Sequence, residues 1–68
     1  MSKYFGSYLD GVKECEEFYD GGMTFTWLEE YISTEKRIVD YRWYNFIEGF
    51  EDAIEHFKRL ESIFGGEE

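Results

Sequence analysis

Length, composition and charge limit what this chain can be: its 68 residues suffice for one small acidic domain, 1–68, and the core of such a domain rarely supplies more than about 3–5 kcal/mol. Disulfides within the chain cannot add to that stability because Cys15 is the only cysteine. The aromatic residues, which make up 22% of the chain, must therefore supply the packing. Seven basic against 16 acidic residues give a net charge of −9, which disfavours nucleic acids and anionic membranes as partners and favours basic surfaces.

The first predicted element is a helix over about residues 7–19. Its apolar face consists of Tyr4, Tyr8, Val12, Cys15 and Tyr19, with Phe5, Leu9 and Phe18 beside them. The glycines at 21 and 22 are typical of a helix C-terminus. Cys15 is therefore expected to be a small buried side chain, whereas Gly11 is expected to weaken the helix by about 1 kcal/mol relative to alanine.

The next segment, residues 23–43, has two interpretations. The first interpretation is a helix over about residues 26–32, in which Thr26 and Glu29 form a capping box ahead of apolar residues. The second interpretation is a hairpin, because apolar residues alternate with polar ones on both sides of "STEK". A hairpin between two helices would give an α+β fold. We favour the helix because the consecutive acids of "EEYI" fit the first turns of a helix better than a short strand.

The strongest pattern predicts a long C-terminal helix over about residues 34–64, with Ser33 or Thr34 as its N-cap and Val39 extending its apolar face. That face follows helical spacing over three heptads: Trp43, Phe46, Phe50, Ala53, Phe57, Leu60 and Phe64, with Ile47 and Ile54 beside them. Gly49, inside this helix, indicates close approach of the first helix or a slight bend. The predicted fold class is all-α, with three helices.

Catalytic and metal-binding motifs are missing from the sequence. A helical di-iron site needs Glu-x-x-His, but Ala53 precedes His56, the only histidine, by three residues. Zinc sites need several Cys or His ligands, and "EFYDGGMTF" lacks the alternating oxygen ligands of a calcium loop. We therefore expect His56 on the surface, and a non-enzymatic protein without metal or cofactor.

Rows of acidic residues at helical spacing are the candidate partner-binding site. The row members are Asp10, Glu14, Glu17, Glu48, Glu51, Asp52 and Glu55. Helical residues three and four apart lie about 5–6 Å apart at Cβ, so their carboxylates form rows with spacings comparable to phosphates along a strand. Like charges at this spacing destabilise a helix by about 0.2–0.5 kcal/mol per pair, whereas a surface made only for solubility would interleave lysine.

Two functions of different classes follow from this pattern. In the first, the domain mimics nucleic acid and occupies the basic groove of a DNA- or RNA-binding protein. In size, charge and helical content it is similar to the small acidic proteins that phages use against CRISPR, restriction or host transcription machinery. In the second, it is a helical adaptor that binds through its aromatic face, with homodimerisation through Tyr41, Trp43 and Tyr44. We favour the first, although solvation alone would also account for the acids.

The expected compartment follows from what the sequence lacks. No apolar run approaches the roughly 18 residues of a transmembrane helix, and the N-terminal residues lack the apolar segment of a signal peptide. A single thiol without an export signal is typical of a reducing compartment, so the expectation is a cytoplasmic protein.

Overall fold

The computed structural model describes residues 7–38 and 43–65, and within these ranges the chain forms three helices and no strand. The helices are α1 (Tyr8–Asp20), α2 (Phe25–Ile38) and α3 (Tyr44–Gly65). The predicted all-α fold with a long C-terminal helix is confirmed. The hairpin alternative is wrong because residues 25–38 are helical.

Both ends of α1 agree with the sequence pattern. Ser7 is the N-cap: its backbone is extended, and its hydroxyl oxygen accepts a hydrogen bond from the amide of Asp10 at 3.2 Å. At the other end, the amide of Gly21 bonds back to carbonyls of the last turn, and Gly22 has a φ of 98°. Glycine adopts that angle without strain, so the chain can turn sharply into α2.

The boundary between α2 and α3 differs from the prediction. Ser33 and Thr34, the candidate N-caps of the long helix, lie inside α2, and α3 begins only at Tyr44. The physical reason is that Lys36 and Arg37 fall in the last turn of α2, where positive charge is favourable beside the unpaired carbonyl groups. The apolar pattern alone does not reveal that one helix ends and another begins.

The N-cap of α2 also differs from the prediction. The hydroxyl oxygen of Thr24 accepts a hydrogen bond from the amide of Trp27 at 3.1 Å, so the capping box predicted at Thr26 is wrong. Other predictions lie outside the described residues, namely the apolar-face positions Tyr4, Phe5, Val39 and Tyr41 and the side chain of Phe64.

The core lies between one face of each helix. Its buried hydrophobic residues within the described ranges are Cys15, Leu28, Ile32, Phe46, Ile47, Phe50, Ala53 and Ile54. Phe50, the largest, is fully inaccessible, and Ile54 is 4% exposed, as the heptad pattern predicts. Phe57 is only partly buried, because it packs at the margin of this cluster.

Two glycines bring α1 and α3 into backbone contact. A Cβ atom at Gly49 would overlap the carbonyl oxygen of Tyr8 and lie 2.9 Å from its carbonyl carbon. A Cβ atom at Gly11 would overlap the carbonyl oxygen of Phe46 and lie 2.8 Å from the amide nitrogen of Phe50. The close approach predicted at Gly49 is therefore confirmed. Gly11, expected only to weaken α1, has the matching role in the other helix.

Two hydrogen bonds from tyrosine to carboxylate join the ends of α1 to α3. The hydroxyl of Tyr8 donates to Asp52 at 2.6 Å, and that of Tyr19 donates to Glu61. The bond to Asp52 is the main cause of a raised pKa at Tyr8, with desolvation and the charges of Asp52 and Glu48 adding to it. The bond to Glu61 is likewise the main cause of the raised pKa at Tyr19.

These bonds predict a loss of stability in alkaline solution. A tyrosine whose pKa rises on folding contributes stability below the ordinary pKa of about 10 and loses it as pH rises through the higher native value. Urea denaturation from about pH 8 to about pH 11 should show a falling free energy of unfolding, and Tyr8→Phe combined with Tyr19→Phe should flatten that fall. The control is Tyr44→Phe, because the Tyr44 hydroxyl bonds to no described residue. An unchanged slope in the double variant would contradict the prediction.

Candidate functional site

The predicted partner-binding carboxylates divide into two groups on different helices. The α1 group is Asp10, Glu14 and Glu17, and the α3 group is Glu48, Glu51, Asp52 and Glu55. The two groups approach α2 from opposite sides of its buried face, so the fold does not join them into one continuous row.

Contacts with α2 establish this separation. Glu14 lies near Tyr31: burial is the main cause of the raised pKa of Tyr31, and the charges of Glu35 and Glu14 add to it. Glu51, from α3, forms an ion pair with Lys36 at 3.2 Å. Tyr31 and Lys36 are five residues apart, which places them about 140° apart around α2 at 3.6 residues per turn.

Contacts within the protein engage most of the α3 group. Three of its carboxylates have a partner: Asp52 the hydroxyl of Tyr8 at 2.6 Å, Glu51 the ammonium of Lys36 at 3.2 Å, and Glu55 the guanidinium of Arg59 at 3.9 Å. The ion pairs are exposed, so each contributes at most about 1 kcal/mol to stability. Glu48 alone of this group forms no ion pair or hydrogen bond with another described residue.

An open groove of about 720 Å³ between α2 and α3 carries both signs of charge. The buried side chains of Ile32 and Ile54 line it, together with these polar residues: Glu29, Ser33, Lys36, Glu51, Asp52, Glu55 and Arg59. Glu29 additionally accepts a hydrogen bond from Lys58 of α3. Because Lys36 and Arg59 lie among four carboxylates in this lining, the groove carries less net negative charge than its acids alone would give.

The highest density of net negative charge lies on α1. Its 13 residues contain five acids against one lysine, a net charge of −4, whereas the 22 residues of α3 contain five acids against two basic residues. Asp10 and Glu17 form no ion pair or side-chain hydrogen bond with any other side chain in residues 7–38 and 43–63. The row from Asp10 through Glu14 to Glu17 rises about 10 Å along the helix, a length over which one DNA strand carries about three phosphates.

An aromatic notch lies beside this row, and the sequence pattern does not reveal it. Trp27 and Tyr31, one turn apart on α2, stack with ring centroids 5.3 Å apart and an interplanar angle of 5°. Phe18 of α1 packs edge-on against both, at 5.1 and 5.2 Å. A cavity of about 260 Å³ is lined by this pair together with Glu30, Thr34 and Glu35. We call it the Trp27 notch; the sequence indicates the helical spacing of its rings but not their exposure.

Cys15 and His56 have the surroundings expected of them. Cys15 is completely buried, and burial, with a smaller effect of Glu16, raises the pKa of its thiol to about 11. The thiol is therefore protonated at neutral pH and packs as a small apolar side chain, since only the thiolate is a strong nucleophile. His56 is exposed, with its ring tilted against that of Phe57 at a centroid distance of 5.7 Å.

The aromatic residues considered for dimerisation do not form one described surface. Tyr41 lies outside the described residues. Trp43 is partly buried and packs edge-on against Phe46 at 5.4 Å, so it belongs to the margin of the core. Tyr44 is 56% exposed. An aromatic contact surface at the start of α3 therefore rests on Tyr44 alone among these described side chains.

Within residues 7–38 and 43–65, no cluster of three or more His, Cys, Asp and Glu side chains is arranged to hold a metal ion. None of the helices in this part of the chain combines the length and apolarity that a membrane span requires. Comparison of the chain with protein-family models, with curated proteins and with solved structures finds no match.

Proposed function

We propose that this protein is a non-enzymatic inhibitor that mimics nucleic acid. Its acidic surface occupies the basic groove of a DNA- or RNA-binding protein and prevents nucleic acid from entering. The observation that carries the proposal is the α1 row of Asp10, Glu14 and Glu17, which provides three carboxylates over the length of about three phosphates. Phage proteins directed against CRISPR, restriction or transcription machinery are the class of inhibitor that fits this size and charge.

The distribution of charge supports α1 rather than α3 as the binding surface. Two carboxylates of α3 already pair with Lys36 of α2 and Arg59 of α3. These two cations would repel a basic partner unless it displaced them. On α1, Lys13 is the only basic residue. A net charge of −9 would also accelerate the encounter with a basic groove, because opposite fields steer diffusion.

An adaptor that binds through aromatic residues has less support. Most rings it would use pack in or against the core, including Phe46, Phe50 and Trp43. Exposed aromatic side chains such as Tyr44 are scattered rather than joined into a face at the start of α3. The adaptor nevertheless makes a different prediction, which the following experiment distinguishes.

Competition with DNA tests the proposed function. The full chain is added to fluorescently labelled DNA bound to each of a panel: guide-loaded CRISPR nucleases, restriction endonucleases and bacterial RNA polymerase. We expect displacement of DNA from at least one panel member, with an affinity for that member that falls steeply between about 50 mM and about 200 mM salt, because the contact is electrostatic.

The contrary outcomes of this experiment are well defined. Failure to displace DNA from any panel member would contradict inhibition of these machineries. Binding that is insensitive to salt, and that is lost in Tyr44→Ala but retained in Glu17→Lys, would instead indicate the adaptor.

A further inference from the structure

We propose that the Trp27 notch binds an arginine side chain of the basic partner, with the guanidinium stacked on the exposed part of Trp27 beside the surrounding carboxylates. This inference rests on the proposed function, since it names the residue type that the partner contributes. The Trp27 notch adjoins α1 through Phe18 and Glu14, so one basic surface could contact both the α1 row and the notch.

The rings of the notch are held in fixed positions. Trp27 is 38% exposed, yet it stacks on Tyr31 and is braced edge-on by Phe18. A large aromatic side chain that is already ordered loses little conformational entropy on binding, which is why tryptophan and tyrosine are enriched among the dominant contacts of interfaces. Trp27 is therefore better prepared for a partner than an isolated exposed ring such as Tyr44.

The charge around the rings favours a cation. Glu30 and Glu35 line the cavity, and the charges of Glu35 and Glu14 reach Tyr31, where they add to the effect of burial in raising its pKa. A cation over the face of tryptophan is the most favourable cation–π arrangement. Neighbouring carboxylates would strengthen that contact through hydrogen bonds to the same cation.

No cation of the described chain occupies this position. Lys58 lies over the ring of Phe25, 6.0 Å from its centroid, so the aromatic surface between α2 and α3 already has a cation. No lysine or arginine side chain in the described ranges lies over Trp27 or Tyr31. The indole N–H of Trp27 has no acceptor among the same residues, and is free to donate to a carbonyl or carboxylate of the partner.

Arginine fits this site better than lysine. The guanidinium is planar, stacks on aromatic faces and is less strongly hydrated than an ammonium group. It also presents several N–H donors in one plane, so it can stack on Trp27 while donating to Glu30 or Glu35. An ammonium group would gain the charge attraction but not the stacking.

Two peptides of equal charge test this inference. Fluorescein-labelled nona-arginine and nona-lysine are titrated with the full chain, and binding is followed by anisotropy. We expect the arginine peptide to bind at least about twofold more tightly, because the guanidinium adds planar stacking to the cation–π contact that both cations can make. Trp27→Leu should abolish this preference by weakening the binding of nona-arginine more than that of nona-lysine. In a Trp43→Phe background Trp27 is the only tryptophan, and its fluorescence should respond to nona-arginine with the same dissociation constant.

A second variant guards against loss of packing in Trp27→Leu. Thr34→Arg places a guanidinium at the edge of the notch, where it should compete for Trp27 and remove the preference for nona-arginine. Thr26→Arg is the matched control: it adds the same charge to an exposed position of α2 that does not line the notch. Circular dichroism verifies that each variant is folded.

Each result decides the inference. Equal affinity for the two peptides, or a preference that survives both Trp27→Leu and Thr34→Arg, would overturn it. Displacement of DNA in the competition experiment without any arginine preference would leave the proposed function standing and remove the arginine contact. An arginine preference that depends on Trp27, without displacement of DNA from any panel member, would support the contact and contradict inhibition of these machineries.

Discussion

A single methyl group added at Gly49 or at Gly11 should strongly destabilise the protein. Alanine is favoured over glycine by about 1 kcal/mol in an exposed helix, so helix propensity alone predicts stabilisation. The added Cβ would instead overlap backbone atoms of Tyr8 or of Phe46, and backbone cannot rotate away as a side chain does. The two helices would have to separate along the contact that covers Phe50.

The expected loss is large relative to the total stability. Overpacking a close contact typically costs about 1–3 kcal/mol and occasionally more. A core of this size supplies only about 3–5 kcal/mol, so either variant should lose a large share of its stability and unfold at a much lower urea concentration at 25 °C. The measurement is the free energy of unfolding, followed by circular dichroism.

Gly21→Ala is the matched control for both variants. Gly21 has a φ of −79°, and its Cβ would meet only the carbonyl oxygens of Glu17 and Phe18, at 3.4 Å. Its free energy of unfolding should remain within about 0.5 kcal/mol of the unmodified protein. If Gly11→Ala and Gly49→Ala were stabilising, as propensity alone predicts, α1 and α3 would not cross at this contact.

The sequence predicts the helices and their buried faces because both depend on local spacing. Phe50, Ile54 and Cys15 are buried as their positions on helical faces require. Even the contact at Gly49 is predictable, since a glycine inside a strong helical pattern indicates that something approaches closely. The reciprocal contact at Gly11 requires knowledge of which helices cross, and that is a property of the tertiary structure.

The break between α2 and α3 leaves a weak local signal. Residues 39–43 contain neither glycine nor proline, so no residue type marks the connection. Ser33 and Thr34 resemble an N-cap, but the same residues are tolerated inside a helix when they are exposed, as both are in α2. The positive charges of Lys36 and Arg37 are the better signal, because they mark the C-terminal turn of α2.

The candidate site is predictable only in part for the same reason. Spacing identifies each row of carboxylates within its own helix, but it does not indicate which carboxylates meet a partner from another helix. Lys36 lies 15 residues from Glu51, and Tyr8 lies 44 residues from Asp52. These contacts form only through packing, so the spacing of the carboxylates along α3 does not reveal them.

Neutralising the α1 row should weaken partner binding far more than neutralising the same number of carboxylates on α3. The α1 variant combines Asp10→Asn, Glu14→Gln and Glu17→Gln, and the α3 variant combines Glu48→Gln, Glu51→Gln and Glu55→Gln. Each changes the formal net charge from −9 to −6, so both weaken the long-range field equally. Any difference between them in binding therefore reports where the partner makes contact.

For the α1 variant we expect an affinity reduced about tenfold or more for the panel member from which the protein displaces DNA. The reason is that up to three charge pairs with the partner, of up to about 1 kcal/mol each, are lost. Its affinity should also depend less steeply on salt. The α3 variant should lose only the smaller share due to the weaker field, because Glu51 and Glu55 already pair with Lys36 and Arg59. Urea denaturation checks that both variants remain folded. Equal losses in the two variants would mean that net charge acts without a defined surface, and a larger loss in the α3 variant would place the contact on the opposite side of α2.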